Sequence, residues 1–272
     1  MSLEKLVTIS SNDKNINLSE SNSDFTVNLN ERNLSQGVNR VLIKECTVPN
    51  VFPNIRGAAT YQASANSLLQ IDIQGLGVLG FIVPEGQYVI STLGVPPAND
   101  LLTVLTNLIN TSIGPDTVVI TLDPITNKLK FTFGTPNYKF IENTPSTPSP
   151  LNDVLGIVNP TPAYTDIIDA DALPDLTGYK NVYIHSKDIA DLNGVDAGFG
   201  LISLAEPISL VDTPYGSYAY KQNNDDELAS IVFEQPRNLS VIRIVLRDEN
   251  GVKLDIGTHT MNIVFKAYFD AV

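Results

Sequence analysis

SNSDFTVNLNERNLSQGVNRVLIKECTVPNVFPNI, Ser21 to Ile55, is the stretch that decides the fold class. Phe25, Val27 and Leu29 alternate with Thr26, Asn28 and Asn30, the period-2 pattern of a strand with one buried face. After a polar crossing, Arg40 to Val48 is richer in β-branched and apolar residues: Val41, Ile43, Thr47 and Val48 surround Lys44 and Glu45. That composition predicts a longer strand nearer the middle of a sheet. Pro49 and Pro53 close it, because proline offers no amide hydrogen to a ladder.

Outward from this stretch the same pattern recurs. Strands are predicted over 6–10, 24–29, 40–48, 68–74, 87–91, 117–122, 128–133, 181–186, 200–204, 228–234, 240–247 and 262–269. Many short strands with turn signals between them define an all-β sandwich. Two hairpins are legible. In TVVITLDPITNKLKFTF the turn DPITNK separates two alternating runs, and in SVIRIVLRDENGVKLDI the turn Asp248-Glu249-Asn250-Gly251 does the same. One helix interrupts the series. In PPANDLLTVLTNLIN, Asn99 or Asp100 caps a run in which Leu101, Val104, Leu105, Leu108 and Ile109 recur at helical spacing. NTPSTPSPLND, 143–153, reads as an exposed loop before a short apolar turn, VLGIV. Residues 67–160 thus form an inserted small β-rich (α+β) domain with one amphipathic helix, and 1–66 with 161–272 form a discontinuous sandwich domain.

The chain of 272 residues is 43% hydrophobic, enough for a packed core without staples. A net charge of −13 disfavours direct contact with a nucleic-acid backbone, which needs clustered cations. The start, MSLEKLVTISSND, lacks the charged and apolar regions of a secretion signal. No run reaches the ~18 apolar residues of a membrane span. The expectation is a soluble protein made inside a cell.

Chemistry-bearing residues are sparse. Cys46, the sole cysteine, sits in a strand and reads as a buried small apolar residue. His185 and His259 lack the paired spacing of a metal site and have no nucleophile motif nearby. The acidic groups Asp225-Asp226-Glu227 and Asp166 to Asp171 read as solvated loops, without the alternating ligands and glycine of a calcium loop. Tyr215, Tyr218 and Tyr220 would suit a sugar-stacking platform, but alternating tyrosines on a strand are more simply packing residues with a wet tip. No residue is therefore assigned a catalytic, cofactor-binding or metal-ligating role. Interface residues stay unassigned too. A β-sandwich hydrolase, the enzyme alternative, would need convergent Asp, Glu or His residues that the sequence does not offer.

The opening segment SSNDKNINLSESNSDFTVNLNERN, followed by VNRVLIKECTVPNVFPNI, resembles the N-terminal region of penton (minor capsid) proteins of virophages and Polinton-type double-stranded DNA viruses. The matching features are the S-x-S/D-F-x-V-x-L strand and the PN…NI element. IVPEGQYVISTL, DLLTVLTNLIN, ITLDPITNKLKFTF, YKFIEN and LNDVLGI are similar to the insertion of that lineage, and NVYIHSKDIA, IRIVLRDENGVKLDI and MNIVFKAYF to its C-terminal part. The resemblance runs nearly the full chain through short, mostly structural motifs. It implies a single jelly roll forming a homopentamer at the fivefold vertices of an icosahedral shell. The implied neighbours are double jelly-roll major capsid proteins and other minor capsid proteins, with no cofactor, no direct nucleic-acid contact and no membrane span. Its place would be the virion, assembled in the host cytoplasm. A spike or host-attachment module binding a glycan or receptor is the alternative.

Overall fold

The computed structural model describes residues 3–13, 21–29, 37–58, 65–91, 96–114, 117–160, 162–186, 189, 207–223 and 230–269. It divides into two compact units, one built from 1–52 and 179–272, the other from Pro53–Gly178. The second unit extends past the 67–160 bounds read from the sequence because flanking segments pack into it. Asn54 is buried, and its amide donates to the carbonyls of Tyr88 (2.7 Å) and Leu176 (3.1 Å) and accepts from the Tyr88 N–H (2.8 Å).

The first unit contains β1 (Leu3–Ser10), β2 (Asp24–Asn28), β3 (Val38–Pro49), β10 (Asn181–His185), β11 (Ile208–Ser209), β12 (Tyr218–Gln222), β13 (Ile231–Arg237), β14 (Val241–Arg247) and β15 (Asn262–Phe269). One sheet runs β1-β15-β3-β12, with β13 on the same central strand β3; the other runs β11-β10-β14-β2. β12 pairs with 45–49 of β3 and β13 with 38–41, so these two occupy one position in the sheet. Counted along the unit with β12 and β13 as one, the first sheet holds strands one, eight, three and six, and the second five, four, seven and two. Except between β10 and β11, successive strands alternate between sheets. This is the jelly-roll order, and the unit is a jelly-roll β-sandwich.

Its core comes from the inward faces of both sheets. Phe25 and Val27 of β2 are buried and their neighbours are not, as the alternation requires. They share the core with Ile184, Ile244 and Leu246, and the other sheet contributes Val7, Ile43, Val48, Ile263 and Phe265. Pro49 is the last residue of β3, opposite Tyr218. β12 and the turn before it exchange hydrogen bonds with Lys44 and Asn50, so odd-numbered Pro49 turns its nitrogen away from them. It faces the β15 side, where pairing with β3 stops at Thr47. No donor is missed.

The second unit holds two three-stranded antiparallel sheets. One is β4 (Leu68–Ile73) between β5 (Gly77–Ile82) and β8 (Tyr138–Phe140); the other is β7 (Leu129–Phe133) between β6 (Val118–Leu122) and β9 (Ile167–Asp169). Helix α1 (Leu101–Ile113) buries Leu101, Leu105 and Ile109, and Asp100 caps it by accepting from the Thr103 N–H at 2.9 Å. Phe131, Phe133, Tyr138 and Phe140 form an aromatic cluster with ring centroids from 4.2 Å apart.

Several expectations need correction. Residues 87–91 form no strand, because the Asn54 side chain consumes the N–H and C=O of Tyr88, and Val89 makes only an isolated bridge to Asp100. The run after Gly251 returns as a single bridge, Arg247 to Lys253, rather than as the second arm of a hairpin. VLGIV is not a turn, since a short helix, α2 (Leu151–Leu155), ends at left-handed Gly156. The loop before it is exposed only in part: Ser149 is fully buried, accepting from the Gln70 N–H and donating to Asn152. The strand expected over 200–204 and the start of that over 228–234 lie outside the described residues.

Candidate functional site

The outer face of the first unit's β1-β15-β3-β12 sheet carries several large apolar side chains that are left exposed. Ala219 pairs with Val48 on the inner face, so Tyr218 and Tyr220, one residue to either side, point outward. They are 51% and 57% exposed, although they are large aromatics. Tyr220 lies in a cross-strand row with Thr47, Asn262 and Ser10. Val232 of β13 and Leu6 of β1 are 60% and 63% exposed, and alternation puts both on this outer face. Tyr215, in the turn before β12, is half exposed. A face with polar residues between exposed Tyr, Val and Leu is suited to meeting another protein surface.

One end of the face is ordered by charge. The Arg40 guanidinium lies 3.8 Å from the centroid of the Tyr268 ring, and Lys266 sits 5.1 Å from it while pairing with Glu4 at 2.9 Å. Although Tyr220 is more than half exposed, local desolvation first and the Glu45 carboxylate second hold its phenol above the ordinary range. It therefore stays a neutral hydroxyl donor at physiological pH. These groups can position a partner through hydrogen bonds and stacking; none is an activated acid or base.

The residues singled out in the sequence do not converge. Cys46 faces the core, 2% exposed, and burial pushes its thiol up to about 12, so it is not a thiolate at neutral pH. His185 is buried at the end of β10 with its ring stacked on Tyr183, while His259 lies exposed in the turn before β15. Asp171 accepts from the backbone N–H groups of Val158 and Asn159, which is loop tethering. Asp225, Asp226 and Glu227 lie outside the described residues. Among the described residues no three His, Cys, Asp or Glu side chains come together as a metal site. No described helix is long and apolar enough to cross a membrane.

Sequence reasoning missed two ionic sites. Asp24 receives a two-pronged guanidinium from Arg243, 2.8 Å on each oxygen, and the Lys253 ammonium at 2.8 Å. The hydrogen bond from Arg243 is the largest cause holding its carboxyl down, at about 2. In the second unit Asp72 takes the Tyr164 hydroxyl at 2.9 Å and Lys139 at 3.1 Å. Both join residues distant in the chain and carry no local signature.

The class that strand order and site define is a jelly-roll protein with a partly exposed sheet face. No protein-family model matches the chain, and no curated protein sequence matches it. Among solved structures it is similar to the mavirus penton protein, with 10% identity, 98% of this chain and 99% of the other covered, and a TM-score of 0.48.

Proposed function

We propose that the chain is a structural capsid protein, forming the pentameric vertex capsomer of an icosahedral double-stranded DNA virus shell of the virophage kind. The observation that carries the proposal is the strand order of the first unit, an eight-position jelly roll, occurring in a chain whose opening and closing segments resemble penton sequences. A jelly roll hosts many functions. What favours shell building here is the outer face bearing Leu6, Tyr218, Tyr220 and Val232, since a closed ring is built from such patches repeated head to tail. In this reading the capsomer neighbours are double jelly-roll major capsid proteins and other minor capsid proteins. The protein resides at the virion vertex after assembly in the host cytoplasm, and it neither catalyses a reaction nor touches the genome.

Light scattering coupled to size-exclusion chromatography tests the oligomer. The expected mass is five times that of the chain. The double variant Tyr218→Ser, Tyr220→Ser lowers the association constant about tenfold or more, since exposed tyrosines at the middle of a contact carry much of its energy. A ring of another number, or a pentamer indifferent to both substitutions, contradicts the assignment.

A further inference from the structure

In the second unit β6 is, among the described residues, an edge strand, paired with β7 on one side only. The direction of its backbone groups follows from the bonds around it. Thr117 accepts from Gly134 and Asp123 donates to Lys128, so the odd-numbered residues 117 to 123 face β7. Even-numbered residues face the free edge. At Val118 that edge is closed by a side chain: the Asn110 amide donates to the Val118 carbonyl at 3.0 Å and accepts from its N–H at 2.8 Å, imitating a neighbouring strand. Ile120 and Leu122, next along the edge, have no such partner for their N–H and C=O among the described residues.

Past Val118 a groove of about 740 Å³ lies between α1 and β6, walled by Leu102, Thr103, Thr106 and Asn107 of α1 and by Val119 to Leu122 of β6. That size falls in the ~300–1,000 Å³ range of ligand sites. Its charge narrows the occupant. The thirteen residues of α1 include no charged side chain. Among the described lining residues the only ionic one, Asp100, is buried and committed to the N–H groups of Ser91 and Thr103 and to the Thr103 hydroxyl. A charged segment entering the groove would lose water and gain no partner, whereas an uncharged one meets its match. The open backbone groups recur every second residue in the plane of the sheet, the spacing of another β-strand and not of a sugar chain.

We propose that the groove between α1 and β6 binds an uncharged extended polypeptide segment of a partner protein, which adds to the sheet as a strand alongside Ile120 and Leu122. The Asn110 amide sets the register by blocking the position before them. Inward side chains of the guest lie against Thr103 and Thr106, which favours Thr, Ser or small aliphatic residues there. This inference does not depend on the shell assignment, because it rests only on the second unit.

The probe is a capped heptapeptide of alternating threonine and valine, added to the full chain and followed by backbone amide exchange. At a peptide concentration about ten times its Kd, exchange at the Ile120 and Leu122 amides slows about tenfold. The same peptide N-methylated at alternate residues, which removes the hydrogens that face β6, has no effect. Thr106→Arg, and independently Asn107→Arg, fill the groove from the helix side and abolish the protection while leaving the thermal unfolding curve in place. The proposal is overturned if millimolar peptide gives no protection, or if the methylated peptide protects equally. It also fails if protection survives both arginine variants. Protection that grows with protein concentration alone, together with a rising mass, assigns the edge to a second copy and overturns it as well.

Discussion

Asp24 shows how a single side chain ties the second sheet of the jelly roll together. It stands on β2 opposite Val245 of β14, Arg243 reaches it diagonally from its place opposite Thr26, and Lys253 lies in the segment that follows. Its carboxyl is held at about 2, below the ordinary 3.8, so the folded state prefers the ionised form. The contribution is complete above pH ~4–5 and is lost as the pH falls through 3.8 toward 2. Because Arg243 and Lys253 are about half exposed, screening reduces the stabilisation to about 1 kcal/mol. Asp24→Asn therefore lowers unfolding free energy by about that much at pH 7. It also flattens the decline between pH 4 and 2, which urea titrations across that range will show. A parallel decline in the variant would mean the pair contributes nothing. None of this was legible in the sequence, where Asp24 read as the first residue of a strand. The pairing is a contact over 219 positions.

Elements with a regular apolar period were legible from their residues. β2, β6, β7 and β15 follow period 2, and α1 follows the three- and four-residue spacing with Asp100 as its cap. Elements whose pattern conflicts with their state were not. β5, GVLGFI, is mostly exposed and contains two glycines, so it lacks a strand signature and is held by pairing with β4. QYVIS has a strand signature, but the Asn54 amide claims its backbone. Helix α2 is too short to show a period, and its boundary depends on one residue. Gly156 has φ 74°, and a Cβ there would sit 2.3 Å from the Ala172 carbonyl oxygen. Gly156→Ala is expected to destabilise the second unit by about 2 kcal/mol or more, through strain and collision together. Denaturant unfolding followed by tyrosine fluorescence will measure it, and a change under ~0.5 kcal/mol, the surface norm, would contradict the close approach.

At the scale of the molecule, the sheet class could be read in the alternation, and the jelly roll came from resemblance. The order of strands could not be read, because it is written in pairings such as Leu3 with Phe269 and Val41 with Ala267. The candidate face was invisible for the same reason: Leu6, Tyr218 and Val232 become one surface only through the register of five strands. The first unit closes on itself where the chain leaves and re-enters it, with Phe52 and Tyr179 edge to face at 5.6 Å between ring centroids. Replacing 53–178 by a short flexible linker is therefore expected to leave a soluble jelly roll with a cooperative melt. Circular dichroism and size-exclusion chromatography will decide this, and an aggregated or unfolded product would show that the first unit needs the second. The most direct measurement is cryo-electron microscopy of the particle whose shell contains this chain. The account predicts five copies of the β1-β15-β3-β12 and β11-β10-β14-β2 jelly roll around each fivefold axis. Fivefold density belonging to another chain, with this one elsewhere or absent, would contradict it.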